Sequence, residues 1–131
     1  MPRKPLLANR RILVVEDHDD ARAYIEIFLR QLGADVITAR NAVEGLEAVK
    51  IHHPTLVLSD IMMPGNDGFW LLREIRAAET SRESPVPVIA MTALVAPADA
   101  RRILDVGFRA CLPKPFTPAG LLKAIRSVVK D

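Results

Sequence analysis

At 131 residues the chain is long enough for one domain with a single proper core. Half of its residues are hydrophobic, 26% are charged and the net charge is +2, an ordinary globular balance that gives no case for a nucleic-acid surface. No apolar run approaches the ~20 residues of a membrane span; residues 1–10 lack the apolar stretch of a secretory signal; and a single cysteine, Cys111, rules out an internal disulfide and fits a cytoplasmic location.

Residues 1–9, with Pro2, Pro5, Arg3 and Lys4, read as a basic tail expected to be disordered, ahead of one domain over 10–131. The first strand, Ile12-Leu13-Val14-Val15, runs straight into Glu16-Asp17-His18-Asp19-Asp20. Helix capping accounts for Asp19 as N-cap and for Asp20 in a first turn. It leaves Glu16 and Asp17 at the strand's end unexplained. From Ala21 to Gly33 the residues Ala21, Ile25, Phe28, Leu29 and Leu32 fall at helical spacing and define a core face. Tyr24 and Ile27 lie off that stripe, as partner contacts or as ordinary scattered apolar side chains.

Asp35–Ala39 is a more polar strand, suited to a sheet edge, and Asn41 with Glu44 opens a second helix that runs to His52 and His53. Adjacent histidines on a helix point apart, so a solvated helix end is preferred to a metal pair. Leu56-Val57-Leu58-Ser59-Asp60 reads as a strand buried on both faces. Its carboxylate is expected just past the strand, where Pro64 and Gly65 turn the chain. Asp67 caps a third helix containing Trp70, a partly exposed packing residue. Val86–Met91 is the next strand and ends on Thr92; a fourth helix spans about Pro97 to Val106, with Gly107 as its stop. Ala110-Cys111-Leu112 is the fifth strand and delivers Lys114, and Thr117-Pro118 opens a last helix striped by Leu121, Leu122, Ile125, Val128 and Val129.

Strand then helix, five times over, predicts an α/β fold: a parallel sheet with helices on both faces and right-handed crossovers. All strand C-termini then share one edge, which gathers Glu16, Asp17, Asp60, Thr92 and Lys114. Carboxylates crowded together there repel one another and are pushed toward protonation unless a cation neutralises them, and oxygen ligation with open positions suits Mg²⁺, which keeps waters and accepts phosphate oxygens. Lys114 offers a mobile charge to a phosphate and Thr92 a hydroxyl donor. Asp60 is chemically able to attack phosphorus as a carboxylate nucleophile.

With Glu16-Asp17, the Asp60 strand and its Met63-Pro64-Gly65 and Asp67-Gly68 turn, Thr92-Ala93, and Lys114-Pro115-Phe116 in that order, the chain resembles a response-regulator receiver domain of two-component signalling over roughly residues 10–130. The resemblance implies a doubly wound, flavodoxin-like sheet of five strands in the order 2-1-3-4-5. It further implies that Asp60 takes phosphate from the phosphohistidine of a histidine kinase or histidine phosphotransfer protein. Asp17 and Asp60 would ligate Mg²⁺ directly, Glu16 through water, with the backbone carbonyl of Met62 completing the set. Thr92 would move toward the phosphate, Lys114 would pair with it, and the Lys114–Pro115 bond would be cis.

One position departs from the family pattern: Cys111 stands where receivers carry an aromatic switch residue. Output is then expected through backbone and loop movement or through another face, with Tyr24, Ile27, Leu94, Val95 and Cys111 as candidate partner contacts. The chain is expected to be a phosphoacceptor rather than an enzyme, acting through a downstream protein target as a monomer or weak dimer, with no direct nucleic acid or membrane contact. Alternatives are a receiver-shaped adaptor or hybrid-kinase receiver, a haloacid-dehalogenase-type phosphohydrolase, which wants an acid where Met62 stands, and a flavodoxin-like binder, whose phosphate the acidic run after the first strand would repel.

Overall fold

The structure, a computed structural model, describes residues 5–80, 84–94 and 96–129. Strands and helices alternate: β1 (Arg11–Val15), α1 (Asp19–Gln31), β2 (Asp35–Ala39), α2 (Ala42–His52), β3 (Leu56–Asp60), α3 (Gly68–Ala78), β4 (Val88–Thr92), α4 (Pro97–Asp105), β5 (Ala110–Pro113) and α5 (Pro118–Val128). The five strands form one parallel sheet in the order β2-β1-β3-β4-β5, the doubly wound order expected. β3 and β4 are buried along their whole length and β1 at all but Arg11, whereas the edge strands β2 and β5 are only partly buried. This is why the central strands are written almost entirely in aliphatic residues.

Alternation along each central strand divides the core into two layers. Leu13, Val15, Val57, Val88 and Ala90 face Leu71, Ile75 and Ile103, while Ile12, Val14, Leu58, Ile89 and Met91 face Ile25, Leu29, Leu121 and Ile125. Trp70 is partly buried against the first layer, as its packing role requires. The helix starts follow local chemistry: Asn41, Asp67 and Thr117 each accept a hydrogen bond from the backbone N–H three residues on. α1 departs from expectation. His18, not Asp19, is its N-cap and makes no side-chain capping bond. The Asp19 carboxylate is instead engaged by Arg22 at 2.6 Å, inside the first turn.

The disordered reading of residues 1–9 does not hold for Pro5–Asn9; residues 1–4 lie outside the described residues. Leu7 is 1% exposed, inserted in the α1/α5-side layer, and its N–H donates to the Leu32 carbonyl at 2.8 Å. Pro5 lies against Gly33, whose φ of 94° suits glycine and where a Cβ would come within 2.4 Å of the proline. Two adjacent leucines, Leu6 and Leu7, among prolines and cations show no periodicity that marks which one faces inward, so the burial of Leu7 leaves no sequence signature. Leu7→Ala is expected to cost about 2 kcal/mol, the low end for a buried leucine because a terminal turn relaxes readily; urea denaturation would measure it.

Candidate functional site

At the C-terminal edge of the sheet, the ends of β1, β3, β4 and β5 lie side by side. Asp60 is the last residue of β3 itself, paired in register with Met91 and only 4% exposed, rather than just beyond the strand. The loop after it folds back under the strand, with the Gly68 N–H donating to the Ile61 carbonyl at 2.9 Å. Gly68 is there because nothing larger fits: a Cβ would stand 2.5 Å from the Asp60 carbonyl oxygen.

Glu16 is fully buried, and Lys114 ties it to Asp60. The lysine Nζ lies 2.7 Å from Glu16 Oε1 and 2.6 Å from Asp60 Oδ1. The other Glu16 oxygen accepts the His18 N–H at 3.2 Å, and the Glu16 carbonyl accepts from Arg22 Nη1 at 2.9 Å. Lys114 is held in turn by its own N–H, which donates to the Thr92 carbonyl at 2.8 Å after β5. The Lys114–Pro115 bond is cis, as the resemblance implied.

Asp17 completes the cluster. Ligand atoms of Glu16, Asp17, His18 and Asp60 lie within 4.8 Å of one another. Asp17 Oδ1 is buried with no hydrogen-bond partner; the His18 Nδ1 contact at 3.5 Å is too long to count as one. A buried carboxylate oxygen left without a donor is costly, and a hard cation held by neighbouring carboxylates removes that cost. No donor among the described residues reaches the Met62 carbonyl, although the Met62 side chain itself is 67% exposed. The donor set therefore fits Mg²⁺ or a similar ion.

The electrostatics follow from three acids and one lysine. Burial, then the hydrogen bond with Glu16, pushes Asp60 well above the ordinary carboxylate range, with Lys114 pulling the other way. Burial also opposes ionisation of Glu16, but its hydrogen bonds with Asp60, Lys114 and the His18 backbone outweigh it and hold Glu16 low. Lys114 is likewise disfavoured by burial yet raised by its two acid partners. Asp60 is thus the acid that keeps a proton when no cation is bound.

An acid whose folded-state pKa is raised binds more protons in the folded than in the unfolded state, so stability falls as pH rises above the unfolded value of about 4. Glu16 has the opposite sign, but its contribution is already complete above about pH 5. In chelator, the protein is therefore expected to melt at a lower temperature near pH 8 than near pH 6, with the difference removed in Asp60→Asn.

Thr92 is buried at the end of β4, and its hydroxyl oxygen accepts the Leu94 N–H at 3.0 Å, leaving the hydroxyl proton to donate. Tyr24, 45% exposed, borders a shallow groove of about 430 Å³ beside Glu16 and Lys114, together with Ala93, Pro115 and Phe116. Ile27 and Leu94 are 59% and 38% exposed, and Val95 lies outside the described residues. Cys111 is half-buried and packs on the layer holding Ile103 and Phe108, so it is not an open contact surface. His18 and Arg22 belong to the site yet were not among the residues anticipated. The only local signal was their spacing after an acidic strand end.

A family model described as the response regulator receiver domain matches residues 12–126. The "Probable transcriptional regulator ycf27" of Cyanophora paradoxa is 37% identical over 122 residues, 93% of this chain and 49% of that protein. The chain spans about half the length of the first curated relatives it matches. Chemotaxis protein CheY4 of Vibrio cholerae superposes with a TM-score of 0.84 at 28% identity, covering 93% of this chain and all of that one. The receiver domain of sensor histidine kinase PA1611 from Pseudomonas aeruginosa, solved with magnesium in its active-site cleft, superposes with a TM-score of 0.79 at 33% identity over 92% of this chain and 97% of that one. Among the described residues no helix is long and apolar enough to cross a membrane.

Proposed function

The chain belongs to the response-regulator receiver domain family, whose members are phosphoacceptor domains of two-component signalling, and we propose that it is a phosphorylation-dependent switch acting in the cytoplasm through Asp60. The donor is the phosphohistidine of a histidine kinase or histidine phosphotransfer protein. The observation that carries this reading is the bridge from Lys114 to Asp60 and Glu16 beside the orphaned Asp17 oxygen.

An Asp60 Oδ atom attacks phosphorus in line. The new O–P bond forms as the P–N bond breaks, and its electron pair returns to the imidazole nitrogen of the donor. Lys114 exchanges its contact with the Asp60 oxygen for one with a phosphoryl oxygen, so its charge stays compensated throughout. Thr92 turns its free hydroxyl proton toward another phosphoryl oxygen. The Leu94 N–H bonded to that hydroxyl links the Thr92 rotation to the loop before α4. Asp17, Asp60 and the Met62 carbonyl, with Glu16 acting through water, would hold Mg²⁺, which when bound offsets the charge of carboxylates and phosphate together.

Output is a change in protein–protein binding. With Cys111 half-buried against the core layer that holds Ile103 and Phe108, the signal passes through the β4–α4 loop rather than through an aromatic rotamer on β5. Incubation with acetyl phosphate followed by intact-mass spectrometry tests the reading. One phosphoryl adduct that depends on Mg²⁺ is expected; an adduct formed equally in chelator would overturn the metal-assisted mechanism.

A further inference from the structure

On the side of the molecule where α3 meets α4, a groove of about 480 Å³ is lined by Phe69, Leu72, Arg73, Arg76, Arg102 and Val106. The α3 residues stand at i, i+3, i+4 and i+7, a single helical face, and Arg102 of α4 stands four residues before Val106, that helix's C-cap. Leu72 is almost fully buried and forms an apolar floor, with Val106 49% exposed on the α4 side. Three guanidiniums stand around that floor.

Each guanidinium has a distinct setting. Arg102 lies over the Phe69 ring at 5.2 Å from its centroid, and Phe69 is itself braced edge-on by Phe108 at 5.8 Å. Arg102 is thus anchored by a cation–π contact while remaining exposed at the groove. Arg76 gives its Nη1 to both oxygens of Glu79, at 3.0 and 3.1 Å, and its remaining donors carry no hydrogen bond among the described residues. Arg73 is exposed and has no ion-pair partner among the described residues. Among the described residues, Glu79 is the one acid that touches a lining guanidinium, so the groove's described lining favours an anion.

The dimensions decide what kind of anion. Phe69 to Arg76 spans seven helical residues, about 10 Å along α3, and the volume falls in the range of roughly 300–1,000 Å³ typical of small-molecule sites. That length is short for a docked peptide, which buries several hundred Å² on each partner. A phosphate suits the planar forks of Arg73 and Arg76, and a flat ring suits the exposed Arg102 guanidinium beside the apolar Leu72 and Val106. We propose that the α3–α4 groove is a binding site for a small planar phosphorylated ligand of the mononucleotide class, separate from the acidic edge of the sheet.

Calorimetric titration in chelator, which keeps metal–phosphate complexes from forming at the acidic edge, would use GMP, AMP, guanosine, inorganic phosphate and hexaglutamate as probes. A mononucleotide is expected to bind with a Kd below about 1 mM and at least about tenfold tighter than phosphate or hexaglutamate. Arg73→Ala and Arg102→Ala are each expected to weaken it about tenfold or more, the effect of losing a charge-assisted contact. Because Arg73 is exposed and unpaired, its variant keeps the test readable if Arg102→Ala loosens α4. No saturation by about 10 mM nucleotide, binding unchanged in both variants, or hexaglutamate binding as tightly as nucleotide, which would mark an acidic-peptide surface, would each overturn the proposal.

Discussion

Asp60→Asn is expected to abolish phosphoryl uptake from acetyl phosphate, leaving no adduct by intact mass under conditions that fully label the parent protein. The amide nitrogen has its lone pair delocalised and the amide oxygen carries no full charge, so neither replaces the carboxylate as nucleophile. The same change should raise the melting temperature in chelator near neutral pH, because it removes a buried acid held above the ordinary carboxylate range beside Glu16. Stabilisation by Mg²⁺, measured as the melting shift on adding the ion, should shrink with the loss of one anionic ligand. An undiminished adduct on Asp60→Asn would move the acceptor to another residue.

Gly68→Val is expected to cost about 3 kcal/mol or more and to slow phosphorylation of whatever remains folded. The new Cβ would stand 2.5 Å from the Asp60 carbonyl oxygen and 2.9 Å from Ile61 Cα, both backbone atoms that cannot swing aside as a side-chain tip can. Any relief must move the end of β3, and with it the Asp60 carboxylate relative to Lys114. Helix propensity does not offset this, since valine gains only a few tenths of a kcal/mol over glycine. Gly65 provides the control. Its surroundings are open within 4 Å, but its φ of 81° makes substitution a matter of backbone strain alone, so Gly65→Ala should cost about 1 kcal/mol and leave labelling kinetics near those of the parent. Chemical denaturation and the time course of labelling would separate the two effects.

Much of this site could be read before any fold was known. Glu16, Asp17, Asp60, Thr92 and Lys114 each follow an aliphatic run, and a parallel sheet puts the ends of such runs on one edge. The resemblance supplied the strand order and the cis bond before Pro115. Local reasoning failed where two explanations competed over a single turn. Asp19 has the chemistry of an N-cap, yet α1 begins one residue earlier because the His18 carbonyl already accepts from Arg22 N–H, while Arg22 takes the Asp19 carboxylate.

The alternation of strands and helices, the two-sided burial of β3 and the placing of charge at strand ends are all legible in the chain alone. These depend on short-range periodicity and on the cost of burying polar groups, both of which act within a few residues. The burial of Leu7, the half-inward turn of Cys111, the meeting of Phe69, Arg73 and Arg76 with Arg102 across a groove, and the Lys114 bridge between Glu16 and Asp60 arise only once the elements pack together. The Lys114–Glu16 bond joins residues 98 positions apart. Contacts of that kind are selected by the packing of whole elements against one another, which no window of neighbouring residues encodes.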